Sequence, residues 1–157
     1  MNGLSKYSIS GLKSFATYDG FAYSGKLCFD GKPVASFYNG GTGGPTDVDW
    51  VSPDAAQVFK DVLPEYEGLG KNEEVTIEQL VNASESLKKL KRALKKYVCF
   101  VTSDCSPKEY NSLSVPYDAA SKERIHSFIS KSCPEYTVLN ELSEGGLWEL
   151  LISWYVN

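Results

Sequence analysis

Across residues 7–39, hydrophobic and polar positions alternate in short runs separated by turn residues. Tyr7 to Ser10 and Leu12 to Phe15 alternate, and Tyr18-Asp-Gly20 then turns the chain, the glycine being free to take positive φ. Phe21, Tyr23, Gly25, Leu27 and Phe29 share one face at period two. Asp30-Gly-Lys32 is a further turn, and Pro33 to Tyr38 reads as a third strand. The spacing predicts a three-stranded antiparallel meander. Asn39-Gly-Gly-Thr-Gly-Gly-Pro45 has too much backbone freedom and too few side chains to pack, which predicts a wide loop.

Beyond Asp49 the pattern changes to a helical period. Ser52 as N-cap, Pro53 at the first helical position and Asp54 at the positive end of the dipole predict a helix to about Leu63, closed by Pro64. Residues 66–72, with Gly68 and Gly70, read as a connector. Thr76-Ile-Glu-Gln79 has the form of a capping box and opens the longest predicted helix, to about Lys96. Ile77, Leu80, Val81, Ala83, Leu87, Leu90, Leu94 and Tyr97 give it one apolar stripe. Residues 98–102 and 109–115 predict a second hairpin, and residues 122–131 a third helix with Ile125, Phe128 and Ile129 on one face. Tyr136 to Leu139 reads as a last short strand. Gly145-Gly146 separates it from the apolar run 147–156, where periodicity leaves helix and buried strand open and helix is preferred. The expected architecture is one α+β domain over residues 1–157. It packs an N-terminal three-stranded antiparallel meander with a long amphipathic helix, a second β-hairpin and two or three shorter helices.

Composition fits this picture: 42% hydrophobic and 23% charged residues belong to an ordinary globular chain, and 13% aromatics favour sheet. A formal net charge of −4 argues against sequence-independent nucleic-acid binding as the main role, because that mode needs a surplus of Lys and Arg. No run approaches the roughly 18 consecutive apolar residues of a membrane span, and residues 1–13 hold no signal-peptide core, so a cytoplasmic protein without membrane contact is expected. The four widely spread cysteines are expected as free thiols.

The single histidine, His126, excludes most triad and metal templates, and a helix-packed or solvent-facing role is the preferred reading. No catalytic residue, metal site or cofactor is assigned. Two surfaces remain as partner-binding candidates. One is the glycine loop, with Gly41, Gly43 and the adjoining Asp47, Asp49 and Trp50, read either as a plain turn or as a ligand loop. The other is the basic helix face over residues 88–96, with Lys88, Lys91, Arg92 and Lys95. Residues 71–97 carry seven basic and four acidic side chains, so the remainder of the chain is strongly acidic. That face is either a contact for an acidic partner or a charge pattern that complements the helix dipole.

Ser10-Gly-Leu-Lys-Ser-Phe15, the Asp30-Gly-Lys32 turn and Asn39-Gly-Gly-Thr-Gly-Gly44 followed by Asp49-Trp50 resemble a family of small uncharacterised phage, prophage and bacterial proteins. Leu87 to Tyr97, Val115-Pro-Tyr117 and Leu139-Asn-Glu141 extend the resemblance over about residues 8–141, and residues 146–157 depart from it. The resemblance implies a small accessory protein that binds a bacterial host or defence protein, in the manner of an anti-defence inhibitor such as an anti-CRISPR. The alternative is a nucleic-acid or nucleotide binder using the basic helix and the glycine loop. An exposed apolar C-terminus would favour a homodimer.

Overall fold

The computed structural model describes residues 3–156 and shows an α+β protein. The chain forms two compact units, one from the described residues up to Ser84 together with Tyr155 and Val156, the other from Glu85 to Trp154.

In the first unit the meander is present: β1 (Tyr7–Ala16), β2 (Phe21–Phe29) and β3 (Lys32–Asn39) pair antiparallel, with Tyr7 opposite Phe29 and Leu27 opposite Ala35. A fourth strand, β4 (Asp47–Trp50), completes the sheet in the order β1-β2-β3-β4, where the sequence suggested only a lead into the next helix. Asp-Val-Asp-Trp alternates, so pairing with β3 turns Val48 and Trp50 to the inner face and leaves both aspartates outside. On the inner face Tyr7, Leu27, Ala35 and Phe37 are buried. The helix α1 (Pro53–Asp61) covers them: Phe59 is fully buried, with its ring 4.9 Å from that of Tyr7 and 5.4 Å from that of Trp50. Ser52 caps it as expected, its Oγ accepting from the Ala55 amide at 3.1 Å.

The connector holds a two-residue ribbon, β5 (Glu65–Tyr66) with β6 (Gly70–Lys71). The long helix α2 (Glu73–Leu94) starts three residues before the expected capping box. Asn72 Oδ1 takes the capping bond from the Val75 amide at 3.0 Å. Thr76 lies one turn in, fully buried, and its hydroxyl donates to the Asn72 carbonyl at 2.7 Å. An N-cap must have extended backbone and a free side-chain oxygen, and Asn72 followed by two glutamates serves the dipole better.

The second unit holds β7 (Val98–Thr102), β8 (Asn111–Leu113), α3 (Lys122–Ser132), β9 (Tyr136–Val138) and α4 (Glu144–Tyr155). The sheet order is β8-β7-β9, all antiparallel. Val98 and Val138, with Phe100 and Leu113 beside them, pack on Ile125 and Ile129 of α3. Cys99 packs with Leu90 of α2, Leu139 and Leu147. The C-terminal run is a helix, and Gly145 and Gly146 occupy its first turn instead of preceding it. Ser143 closes that end, its Oγ accepting from the Gly146 amide at 3.1 Å. Among the described residues no helix is long and apolar enough to cross a membrane.

Candidate functional site

The glycine loop is a tied turn. Gly41 is buried with φ 67°, and its carbonyl accepts from Thr17 Oγ1 at 2.7 Å. Its amide donates to Asn39 Oδ1 at 2.8 Å, while Asn39 Nδ2 donates to Thr46 Oγ1 at 3.0 Å. The Thr46 amide in turn donates to Glu74 Oε1 of α2 at 2.8 Å. The Gly41 and Thr46 amides are thus spent within the fold. The cleft beside Gly43 and Gly44 is lined by Asp19, Glu74 and Glu78, whose charge repels an anion. The other residues grouped with this loop separate. Asp47 and Asp49 stand on the outer face of β4 opposite Tyr38 and Ser36, whereas Trp50 stacks inward on Phe59.

On α2, Lys88 and Lys91 are paired, with Nζ 3.2 Å from Glu85 Oε1 and 3.0 Å from Glu144 Oε2 respectively. Lys89, Arg92, Lys95 and Lys96 are exposed and have no ion pair among the described residues. At 100° per residue, Lys88, Arg92 and Lys89 span somewhat over a quarter of the helix circumference, opposite buried Leu90, and Lys95 and Lys96 follow in the turn after the helix, which ends two residues earlier than expected. Lys91 falls outside that arc, on the side of Glu144.

His126 is neither free nor merely packed. Its Nδ1 lies 2.7 Å from Tyr136 Oη and its Nε2 lies 2.8 Å from Glu141 Oε1. The same carboxylate oxygen accepts from the Tyr117 hydroxyl and from Lys122 Nζ at 3.1 Å. The Tyr117 bond first, and the His126 bond next, hold the Glu141 carboxyl down at about 2, and Glu141 pulls the Lys122 ammonium upward. An ionised carboxylate only accepts, so Nε2 carries the donated hydrogen, and in the neutral ring Nδ1 accepts from Tyr136. With both nitrogens engaged, the ring has no free position for a substrate, and neither His126 nor Glu141 lines the groove described next. The network is a clamp joining the segment before α3, α3 itself, β9 and the turn after it. Among the described residues no group of three or more His, Cys, Asp or Glu side chains could hold a metal ion.

The second unit also holds a groove of about 1030 Å³ between the end of β8 and α3. Leu113 and Val115 form one wall, and Ile125, Phe128, Arg124 and Lys131 the other. Phe128 is 60% exposed and Val115 43%. Of the three apolar positions expected to share a face of α3, Ile125 and Ile129 reach the sheet, and Phe128 is left outside. Trp50, the aromatic candidate grouped with the glycine loop, is unsuited to contact, because its ring is turned inward onto Phe59. No sequence feature marks the groove, since it forms only when residues 113–115 and residues 121–131 meet.

Comparison with protein-family models, with characterised proteins and with solved structures finds no match to this chain.

Proposed function

We propose that this protein is a non-catalytic binding protein that docks another protein through the groove between β8 and α3. The observation that carries this reading is Phe128, a phenylalanine 60% exposed over an apolar floor and flanked by Arg124 and Lys131. Exposed aromatic and Arg side chains around an apolar depression are the composition of a protein-binding hot spot. The setting, a phage-type accessory protein acting on a bacterial host or defence protein in the cytoplasm, is supported by the sequence resemblance alone. The test is site-specific photo-crosslinking from position 128 in bacterial lysate, with position 89 as a control. A discrete protein adduct at 128, retained at moderate salt and absent at 89, supports docking. No adduct at 128 in any host lysate sinks it.

A second reading is favoured by one observation, the four cations Lys89, Arg92, Lys95 and Lys96 at the end of α2 and in the turn after it, which make no ion pair among the described residues. It makes the basic face a contact for a polyanion such as nucleic acid, and its affinity would fall steeply with salt.

A further inference from the structure

β8 stands at the end of the order β8-β7-β9, so β7 pairs one of its edges and no strand pairs the other among the described residues. An open edge offers backbone donors and acceptors to any extended chain that reaches it. Leu113, the last residue of β8, and Ser114 and Val115 of the bend that follows it are one wall of the groove, so a chain added there would lie against α3.

The α3 wall is a single stripe, Arg124, Phe128 and Lys131, spaced i, i+4, i+7. Arg124 and Lys131 have no ion pair among the described residues. Glu123 is the one acidic lining residue, so cations are in excess. Just beyond the opposite wall the chain is tied: Tyr117 is held by Glu141, and Ser121 Oγ lies 3.3 Å from the Pro116 carbonyl.

We propose that the groove takes an extended peptide segment of a partner protein, acidic and apolar in alternation, added as a strand to the free edge of β8. This rests on the reading of the groove as a docking surface and names its occupant. One apolar side chain of the peptide packs on Phe128, and carboxylates on either side of it meet Arg124 and Lys131. Spacing fixes the pattern. Arg124 and Lys131 lie about 10 Å apart along the helix axis. Same-face residues of a strand at i and i+4 lie about 13 Å apart, a gap that two long cationic side chains close, with the i+2 residue falling on Phe128. The expected motif is acid, any, apolar, any, acid.

The experiment measures binding of the full chain to an array of fluorescent decapeptides carrying that motif at their centre, by anisotropy. Acidic-apolar peptides are expected to bind about tenfold or more tightly than versions with lysine in place of the acids. Phe128→Asp and the double change Arg124→Glu, Lys131→Glu should each weaken binding by about tenfold or more. Val115→Lys is a second variant that leaves α3 untouched. Methylating alternate peptide amides should abolish binding, because the strand pairing is lost. Failure of every acidic peptide, equal binding of the lysine versions or equal binding of methylated peptides overturns the proposal. If an adduct nevertheless forms at position 128 with a lysate protein, docking stands and only the strand-like occupant is wrong. Peptide binding unaffected by Phe128→Asp and Val115→Lys sinks both. A dimer in sedimentation that Phe128→Asp dissolves would make a second copy of the chain the occupant and overturn the peptide assignment.

Discussion

His126 Nε2 lies 2.8 Å from Glu141 Oε1, on the same oxygen that takes the Tyr117 hydroxyl and the Lys122 ammonium. Three donors on one oxygen hold the folded-state carboxyl at about 2 against an ordinary 4.5. A depressed carboxylate contributes stability above its unfolded value and loses it as pH falls towards the folded one. Glu141→Gln should therefore cost about 1 kcal/mol near neutral pH, after allowance for solvent screening of a part-exposed side chain. In urea unfolding the gap between wild type and variant should shrink as pH falls below 4.5 and close near 2. A gap that stays unchanged from 4.5 to about 2 would show that the clamp does not hold Glu141 ionised.

Gly41 and Gly43 both have positive φ, 67° and 80°, but their surroundings differ. A Cβ on Gly41 would stand 2.7 Å from the Ala22 amide nitrogen and 2.9 Å from Thr17 Oγ1, whereas one on Gly43 meets nothing within 4 Å. Gly43→Ala should cost about 1 kcal/mol from backbone strain alone, and Gly41→Ala about 3 kcal/mol, since backbone must move. Thermal unfolding of the two variants checks the order. Equal losses would mean that the loop is looser than its hydrogen bonds imply.

These glycines also mark where the sequence is readable. Period-two alternation in residues 7–38 identifies the meander, because burying one sheet face leaves its record in every second residue. Asp47–Trp50 carries the same record, but four residues with two poor strand formers give it little weight against the neighbouring glycines. Thr76 resembles a cap because a capping box is a local pattern, and only the burial of its hydroxyl under Tyr66 shows that Asn72 does the capping. Phe128 looks like core for a related reason: helical spacing states which residues share a face, not how wide the covering sheet is. The His126 clamp joins residues 117, 122, 126, 136 and 141, and nothing local encodes such a meeting.

The basic face of α2 gives the sharpest test between partners. Lys89, Arg92 and Lys95 are exposed and make no ion pairs among the described residues, so reversing them to Glu should change stability by less than about 0.5 kcal/mol each. The triple variant should keep the position-128 adduct. If duplex DNA is instead retained at about 0.15 M salt, loses affinity steeply as salt rises and is released by the triple variant, the polyanion reading replaces the protein one.

The four thiols divide by burial. Cys28 is 4% exposed and Cys99 fully buried, and burial pushes the Cys99 thiol up, away from the reactive thiolate. Cys105 and Cys133 are part-exposed, where Cys105 Sγ lies 3.3 Å from Thr102 Oγ1 and Cys133 Sγ donates to the Glu135 carbonyl at 3.4 Å. Iodoacetamide on the native protein should therefore modify Cys105 and Cys133, at least about tenfold faster than the other two, because those must await local opening. Denaturant should bring all four sites to completion, as read by intact mass and peptide mapping. Modification of Cys99 at the rate of Cys105 would mean that β7, the central strand on which both clusters of the second unit pack, is not stably buried.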